Sequence, residues 1–109
     1  MKQSSRKYYY VYITASISGV IYVGFTDCLV TRIKQHKKGT YQNSFSKKYK
    51  TNRLVYWEHY YSMDEAFKRE RQMKTWRREK KMALIKKENP EWNDLYQLVI
   101  EMSKIRSLF

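Results

Sequence analysis

The fold is decided by residues 8–25, which run YYYVYITASISGVIYVGF. The two ends of this stretch, 8–14 and 20–25, are rich in aromatic and β-branched residues, as is typical of strands. Two serines and Gly19 lie between them, and these residue types favour a turn. The stretch therefore predicts two strands joined as a hairpin at the start of the domain.

The rest of the chain predicts one more strand and several helices. We expect a helix that is capped by Thr26, has Asp27 in its first turn and ends near Lys38. A basic loop or short helix over 40–53 and a strand over 54–61 should follow. The remaining helices are expected over 63–76, over 78–88 and from about 93 to 108. Ser62 followed by Glu65 forms a capping box, which predicts that the helix over 63–76 begins at Met63. The order β-β-α-β-α-α-α predicts a small α+β domain, with antiparallel or mixed strands covered by helices, that occupies residues 1–109.

Charge is the strongest global feature of the sequence. The chain has 23 Lys and Arg residues against 10 Asp and Glu residues, a net charge of +13. Such an excess favours a polyanionic partner, and its combination with 17% aromatic residues favours nucleic acid over a membrane surface. Residues 33–53 contain no acid at all. We expect nucleic-acid contacts from six lysines: Lys34, Lys37, Lys38, Lys47, Lys48 and Lys74.

The sequence excludes several classes of protein. Cys28 is the only cysteine, so neither an intramolecular disulfide nor a cysteine-based zinc site can form, and we expect it to be a small core residue. No apolar run approaches the roughly 18 residues of a membrane span. The first residues lack a secretory apolar core, so a cytoplasmic location and no membrane partner are expected.

Two polar residues flank the apolar stripe of the first predicted helix. Arg32 and His36 are four positions apart and therefore share one side of the helix. Two interpretations are open for them. Both side chains could face a cleft, or Arg32 could extend its stem along the surface while His36 caps the helix end.

Met63, Ala66, Phe67 and Met73 define the expected buried face of the predicted helix 63–76, and Glu70 falls near its middle. A carboxylate in that position is costly unless it is paired or metal-bound. Magnesium often takes only one or two protein carboxylates together with water, so Glu70 could be the sole protein ligand of a metal ion. The alternative is an ion pair with Lys74, four residues further along.

Tyrosines form a stripe on the predicted hairpin. Tyr8, Tyr10 and Tyr12 alternate onto one strand face, and Tyr22 lies on the neighbouring strand. Such a stripe usually serves packing. A phenol close to a metal ion or a guanidinium group nevertheless loses its proton more easily, and it could then act as a general base on water.

Gly24 ends the second predicted strand just before the helix. A glycine there permits a sharp turn or the close approach of another backbone. The helix start that follows offers N–H groups to an anion, so we also expect Gly24 beside bound nucleic acid.

These segments together resemble the GIY-YIG nucleases. Tyr10-Val11-Tyr12 and Tyr22-Val23-Gly24 stand at the places of the family's two tripeptides, and residues 24–33 are similar to the turn and helix that carry its arginine. His36 and the segments 45–49, 69–76 and 89–96 resemble those of stand-alone bacterial members. The likeness covers residues 8–98.

The resemblance implies a three-stranded antiparallel sheet flanked by helices. It also implies that Tyr12 and Tyr22 are the paired tyrosines, Arg32 the cation that stabilises the transition state, and Glu70 the ligand of one Mg²⁺ or Mn²⁺ ion, with His36 or either tyrosine as the base. Tyr10 replaces the glycine of the first tripeptide. Phe25 stands where the excision-repair subunit carries lysine, and Asn89 is the candidate for that subunit's downstream asparagine.

A metal-dependent DNA endonuclease with low sequence specificity is the function we expect. Its substrates would include branched or damaged DNA in repair or recombination, and a partner protein could direct it. One alternative is a nucleic-acid-binding module that keeps this fold without cutting. The other is a protein-interaction domain whose basic surface meets an acidic partner.

Overall fold

The computed structural model describes residues 7–40 and 44–106. Its elements are β1 (Tyr9–Ala15), β2 (Ile21–Thr26), α1 (Leu29–Lys38), α2 (Ser44–Tyr49), β3 (Arg53–Tyr60), α3 (Met63–Thr75), α4 (Arg78–Glu88) and α5 (Tyr96–Arg106). The predicted α+β order is confirmed, and the short α2 lies in the segment for which a loop or a short helix was expected.

The three strands form one antiparallel sheet in the order β2-β1-β3. The central strand β1 pairs along its length with both neighbours, so Tyr12 lies opposite Gly24 on one side and Trp57 on the other. Successive side chains of β1 alternate between the two faces of the sheet. Tyr10 and Tyr12 therefore point to one face, while Val11 and Ile13 point to the other.

Each face of the sheet carries its own apolar layer. On one face, β1, β2 and β3 pack against α3 and α4 through Val11, Ile13, Val23, Val55, Ala66, Met73 and Ile85. On the other face, α1 and α5 cover Tyr10, Tyr12, Leu29, Ile33, Leu54 and Val99. The strand β2 is an edge of this sandwich, so side chains from α1 on one face and α3 on the other can meet around it.

A partly buried carboxylate, Glu58, joins α3 to β3. Glu58 accepts two hydrogen bonds from Arg69 (2.9 and 2.8 Å) and one each from the phenols of Tyr56 (2.5 Å) and Tyr60 (2.6 Å). Burial alone would raise the pKa of Glu58, but these hydrogen bonds outweigh it and lower the pKa. The bidentate pair fixes the rotation of α3 about its axis, and with it the direction of the adjacent residue Glu70.

The start of α1 differs from the prediction. Thr26 is the last residue of β2 and pairs with Tyr10, and its hydroxyl accepts a hydrogen bond from the Cys28 N–H (3.0 Å). Cys28 is the N-cap residue and is exposed, so the expectation that it belongs to the core was wrong. The predicted helix end is confirmed, since Gly39 closes α1 with a left-handed φ of 72°.

The helix α3 has the predicted start, because the Ser62 hydroxyl accepts a hydrogen bond from the Glu65 N–H (3.3 Å). Its buried face is narrower than expected. Met63 and Phe67 are 58% and 44% exposed, and of the apolar residues on this helix only Ala66 and Met73 are buried. The helix α5 begins at Tyr96 rather than near Asn93, and only Val99 on it is buried.

Candidate active site

The core of the candidate site is a hydrogen bond between Tyr12 and His36. Tyr12 is fully buried on the central strand, and its hydroxyl lies 2.9 Å from Nε2 of His36 on the last turn of α1. Burial and, secondarily, the Arg32 charge lower the pKa of His36 to about 4, so its imidazole is neutral at pH 7. The interpretation of His36 as a helix cap is wrong, because its ring is buried against the tyrosine.

Tyr22 completes a group of three rings with Tyr12 and His36. Its ring centre lies 5.5 Å from that of His36 and 6.3 Å from that of Tyr12. Tyr22 is only half-buried, whereas Tyr12 has no exposed surface. Tyr22 is thus the phenol of this pair that solvent can reach. Its outer side is stacked on Phe45 of α2, at 6.2 Å between ring centres.

Gly24 makes room for the ring of Tyr12. A Cβ atom on Gly24 would lie 2.3 Å from Cζ and 2.4 Å from the hydroxyl oxygen of Tyr12. The close approach expected at this glycine is therefore made by a side chain, not by another backbone. Gly24 is buried within β2, two residues before the strand ends, so the expected contact of Gly24 with nucleic acid is not what this geometry supports.

Arg32 lies one turn before His36 on α1 and is half-buried. Its Nη1 approaches the carbonyl oxygen of Phe25 on the edge strand β2 (3.4 Å), and its charge acts on His36. The side chain of Phe25, at the position where the resemblance places a lysine, packs edge-on against Phe67 of α3. That position therefore contributes to packing between β2 and α3.

Glu70 reaches the same cluster from α3. Its side chain is 13% exposed, and Oε2 lies 2.8 Å from Nζ of Lys74. The same Nζ lies 5.7 Å from the centre of the Tyr22 ring. The structure thus shows the ion pair that was one of the two interpretations of Glu70. It also connects Glu70 through Lys74 to Tyr22 and hence to the Tyr12–His36 pair.

The five predicted catalytic side chains lie on β2 or on an element that contacts it: Tyr22 on β2, Tyr12 on β1, Arg32 and His36 on α1, and Glu70 on α3. Within residues 7–40 and 44–106, no three or more His, Cys, Asp or Glu side chains gather into a metal-binding group. Glu70 is the one carboxylate of the cluster. A single carboxylate fits Mg²⁺ or Mn²⁺ when water and a phosphate oxygen supply the other ligands, and it does not fit a cation held by protein groups alone.

The predicted nucleic-acid-binding lysines differ in their surroundings. Lys34, Lys38 and Lys48 are exposed. Lys37 instead forms an ion pair with Asp94 and donates to the carbonyl of Asn52 (3.0 Å), so it ties α1 to the segment before α5. The side chain of Lys47 lies outside the described residues.

Asn89 has a structural role. It is buried, its amide group donates to the carbonyls of Val55 (3.1 Å) and Asn93 (2.9 Å), and its carbonyl oxygen accepts from the Asn93 N–H (3.1 Å). These bonds hold the turn after α4 to β3. Whether Asn89 also stands for the asparagine of the excision-repair subunit stays a prediction.

Sequence reasoning missed two parts of this region. Phe45 extends the ring cluster outward, and only its position inside a basic segment hinted at this. The Glu58–Arg69 pair joins residues 11 positions apart on different elements, and no periodicity within one element reveals it.

Comparisons with known proteins agree with this geometry. Residues 8–83 match the family model described as the GIY-YIG catalytic domain. UPF0213 proteins of Staphylococcus aureus strains Mu3 and Mu50 are 36% identical over 78 residues, which cover 72% of this chain and 94% of theirs. The solution NMR structure of the UPF0213 protein BH0048 from Bacillus halodurans has a TM-score of 0.51 and 28% identity, and the match covers 84% of this chain and 96% of that one.

The names of these relatives state no activity. No helix in the described part of the chain has the length and apolar character needed to cross a bilayer.

Proposed function

The chain belongs to the GIY-YIG family, and from that premise we propose that it is an endonuclease that hydrolyses DNA phosphodiester bonds with one divalent cation, Mg²⁺ or Mn²⁺. The observation that carries the proposal is the connected cluster of Tyr12, His36, Tyr22, Lys74 and Glu70, beside which Arg32 lies. Phenols, a neutral imidazole, a guanidinium and one carboxylate can together serve metal-assisted attack of water on a phosphate, as base, transition-state cation and metal ligand.

Burial favours Tyr22 as the general base. Tyr12 has no exposed surface and cannot meet a water molecule directly, whereas Tyr22 is half-exposed. A cation bound at Glu70 would favour the phenolate that such a base requires, because nearby positive charge stabilises the deprotonated phenol. Tyr12 and His36 then hold the neighbouring wall of the site, where the imidazole is neutral at pH 7.

Arg32 is the residue that supports the charge of the transition state. Its guanidinium group can donate two parallel hydrogen bonds to phosphate oxygens. Its position on α1, one turn before His36, supports this role, because the charge is then held on a helix before the substrate arrives. Such preorganised charge is the most effective kind of electrostatic stabilisation.

Glu70 would hold the cation together with water and a phosphate oxygen of the substrate. The bound cation would supply a Lewis acid that stabilises the phosphate and the leaving oxygen. Lys74 contacts Oε2 of Glu70 in this structure, so a cation would bind the other carboxylate oxygen or displace the ammonium group. A displaced ammonium group would be available to a neighbouring phosphate of the strand.

We expect low sequence specificity, because the cations around the cluster can contact phosphates, which carry little sequence information. Selection would then depend on DNA structure, including branched or damaged DNA in repair or recombination, or on a protein partner that brings the enzyme to its target.

A nucleic-acid-binding module without catalysis is the second candidate. Two observations favour it: Lys74 already neutralises Glu70, and Phe25 stands where a lysine would contribute to catalysis.

Nicking of supercoiled plasmid separates the two candidates. Wild-type protein is incubated with Mg²⁺, with Mn²⁺ and with EDTA, beside Glu70→Gln and a matched control, Glu65→Gln, which removes an exposed carboxylate from the same helix. The endonuclease predicts nicking that requires a metal ion, is lost in Glu70→Gln and is kept in Glu65→Gln. Binding of plasmid without any nicking by wild type favours the module, and binding to cell extracts that survives nuclease treatment favours a protein-interaction domain.

A further inference from the structure

A groove lies beside the candidate active site. It is bounded by the β1–β2 turn (residues 18–21), by Phe45 on α2 and by Arg78 and Lys81 on α4, and its volume is about 330 Å³. None of the described residues that line it is acidic. The resemblance assigned no role to this groove, to Arg78 or to Lys81.

The groove carries a concentration of positive charge. Arg78 and Lys81 are three positions apart on α4 and line the same cavity. The guanidinium of Arg78 is held there by its hydrogen bond to the carbonyl of Gly19 (2.5 Å). Burial and the charges of Lys74 and Arg78 lower the pKa of Lys81. Two cations of a concave site that no carboxylate neutralises attract an anion, and Arg78 and Lys81 are such a pair among the described lining residues.

The groove also has an exposed aromatic wall. Phe45 is 42% exposed although its ring contacts those of Tyr22 (6.2 Å between centres) and Tyr49 (4.8 Å). A ring that is held by its neighbours and still partly exposed provides a surface on which an unpaired nucleobase can stack. Cations beside such a ring are the combination found in proteins that bind single strands.

The groove is continuous with the candidate active site. Lys74 contacts Glu70 and the Tyr22 ring, and its charge also acts on Lys81. Tyr22 in turn contacts Phe45. A strand whose phosphate lies at Tyr22 and Glu70 would therefore meet Lys74 first and the groove next.

We propose that this groove binds a nucleotide of an unpaired strand adjacent to the scissile bond. Lys81 and Arg78 contact its phosphate, and its base stacks on Phe45. The position of the scissile bond rests on the proposed nuclease function, whereas the binding of the nucleotide does not. The substrate class that follows is DNA with an unpaired segment on one side of the cleavage point.

The test is equilibrium binding in EDTA, so that no cleavage takes place. A fluorescein-labelled single-stranded oligodeoxynucleotide and its duplex are titrated by fluorescence anisotropy over a range of salt concentrations. Lys81→Gln is compared with Lys87→Gln, which removes an exposed lysine from the same helix outside the groove. Phe45→Ala is compared with Leu98→Ala, which truncates an exposed apolar side chain on α5.

We expect Lys81→Gln to weaken single-strand binding and to reduce the slope of log Kd against log salt by about 0.7, which corresponds to one lost phosphate contact. We expect Phe45→Ala to weaken single-strand binding roughly fivefold or more and duplex binding much less. Thermal unfolding of each variant shows whether it is folded. Arg78→Gln repeats the charge test at a second position.

The proposal that the groove binds a phosphate is overturned if Lys81→Gln and Lys87→Gln have the same affinity for the single strand and the same salt slope. Equal losses on single strand and duplex in Phe45→Ala overturn the assignment of an unpaired strand. Failure of the groove with plasmid nicking intact leaves the nuclease in place. Loss of binding in Lys81→Gln, in a protein that never nicks plasmid, supports the groove and removes the nuclease.

Discussion

Replacing Gly24 by alanine tests whether this glycine is required by the ring of Tyr12. The new Cβ would lie 2.3–2.8 Å from three atoms of the tyrosine, and no unstrained heavy-atom contact is that short. Gly24 does not have a positive φ, so its backbone itself accepts alanine. The whole effect must therefore come from displacement of the ring.

The expected loss of stability follows from three terms. Overpacking of a buried site costs about 1–3 kcal/mol. Displacement of the ring also breaks the Tyr12–His36 hydrogen bond, which contributes about 0.5–1.5 kcal/mol. Alanine returns about 0.4–1 kcal/mol by restricting the unfolded chain. The net decrease in the free energy of unfolding is about 0.5–4 kcal/mol, measurable by urea denaturation. Plasmid nicking should fall about 100-fold, because the tyrosine is displaced by an ångström or more.

Two comparisons make this reasoning refutable. Gly39→Ala introduces strain at a φ of 72° but meets no atom within 4 Å, so it should lower stability by about 1–2 kcal/mol and leave nicking intact. In a Tyr12→Ala background, Gly24→Ala should cost almost nothing, because the clashing ring is gone. An equal cost of Gly24→Ala in both backgrounds would show that Tyr12 is not the reason for the glycine.

Three further predictions concern the pH dependence of stability, the Glu58 carboxylate and two lysines of α1. The pKa of His36 is about 4 in the folded protein against an ordinary 6.5, so the unfolded chain binds more protons between these values. The free energy of unfolding should therefore fall by up to about 3 kcal/mol as the pH drops through this window. Urea midpoints should lose much of this pH dependence in His36→Gln, and an unchanged dependence would contradict the lowered pKa of His36. Glu58→Gln should lower the free energy of unfolding by about 2–4 kcal/mol, somewhat below the loss for a fully buried pair, because Arg69 is left without its carboxylate, and a near-neutral urea midpoint would refute this. Lys34→Gln should weaken DNA binding in anisotropy titrations more than Lys37→Gln, because Asp94 already neutralises Lys37; equal losses would argue against that distinction.

Local sequence patterns were sufficient for much of the fold. The aromatic and β-branched runs around Gly19 predicted the hairpin, and the Ser62–Glu65 spacing predicted the start of α3. The spacing of Arg32 and His36 placed both on one side of α1. These features depend on residues that are close in sequence, so their periodicity is visible without tertiary contacts.

The errors arose where distant residues compete with local preferences. Thr26 suits a helix cap, but its pairing with Tyr10 extends β2 and moves the cap to Cys28. Gly24 suits a sharp turn, but the ring of Tyr12 across the sheet is what requires it. Phe67 has the spacing of a core residue, yet it lies at the margin of the buried face of α3, where Phe25 covers only part of its ring.

Binding of Mn²⁺ to Glu70 is the most direct test of the account. Electron paramagnetic resonance follows free Mn²⁺ as it is titrated into wild-type protein, Glu70→Gln and the control Glu65→Gln, each with a short oligodeoxynucleotide whose phosphorothioate linkages resist cleavage. The account predicts one bound ion per chain in wild type and Glu65→Gln, and its loss in Glu70→Gln. Mn²⁺ binding by Glu70→Gln at the wild-type affinity would contradict it.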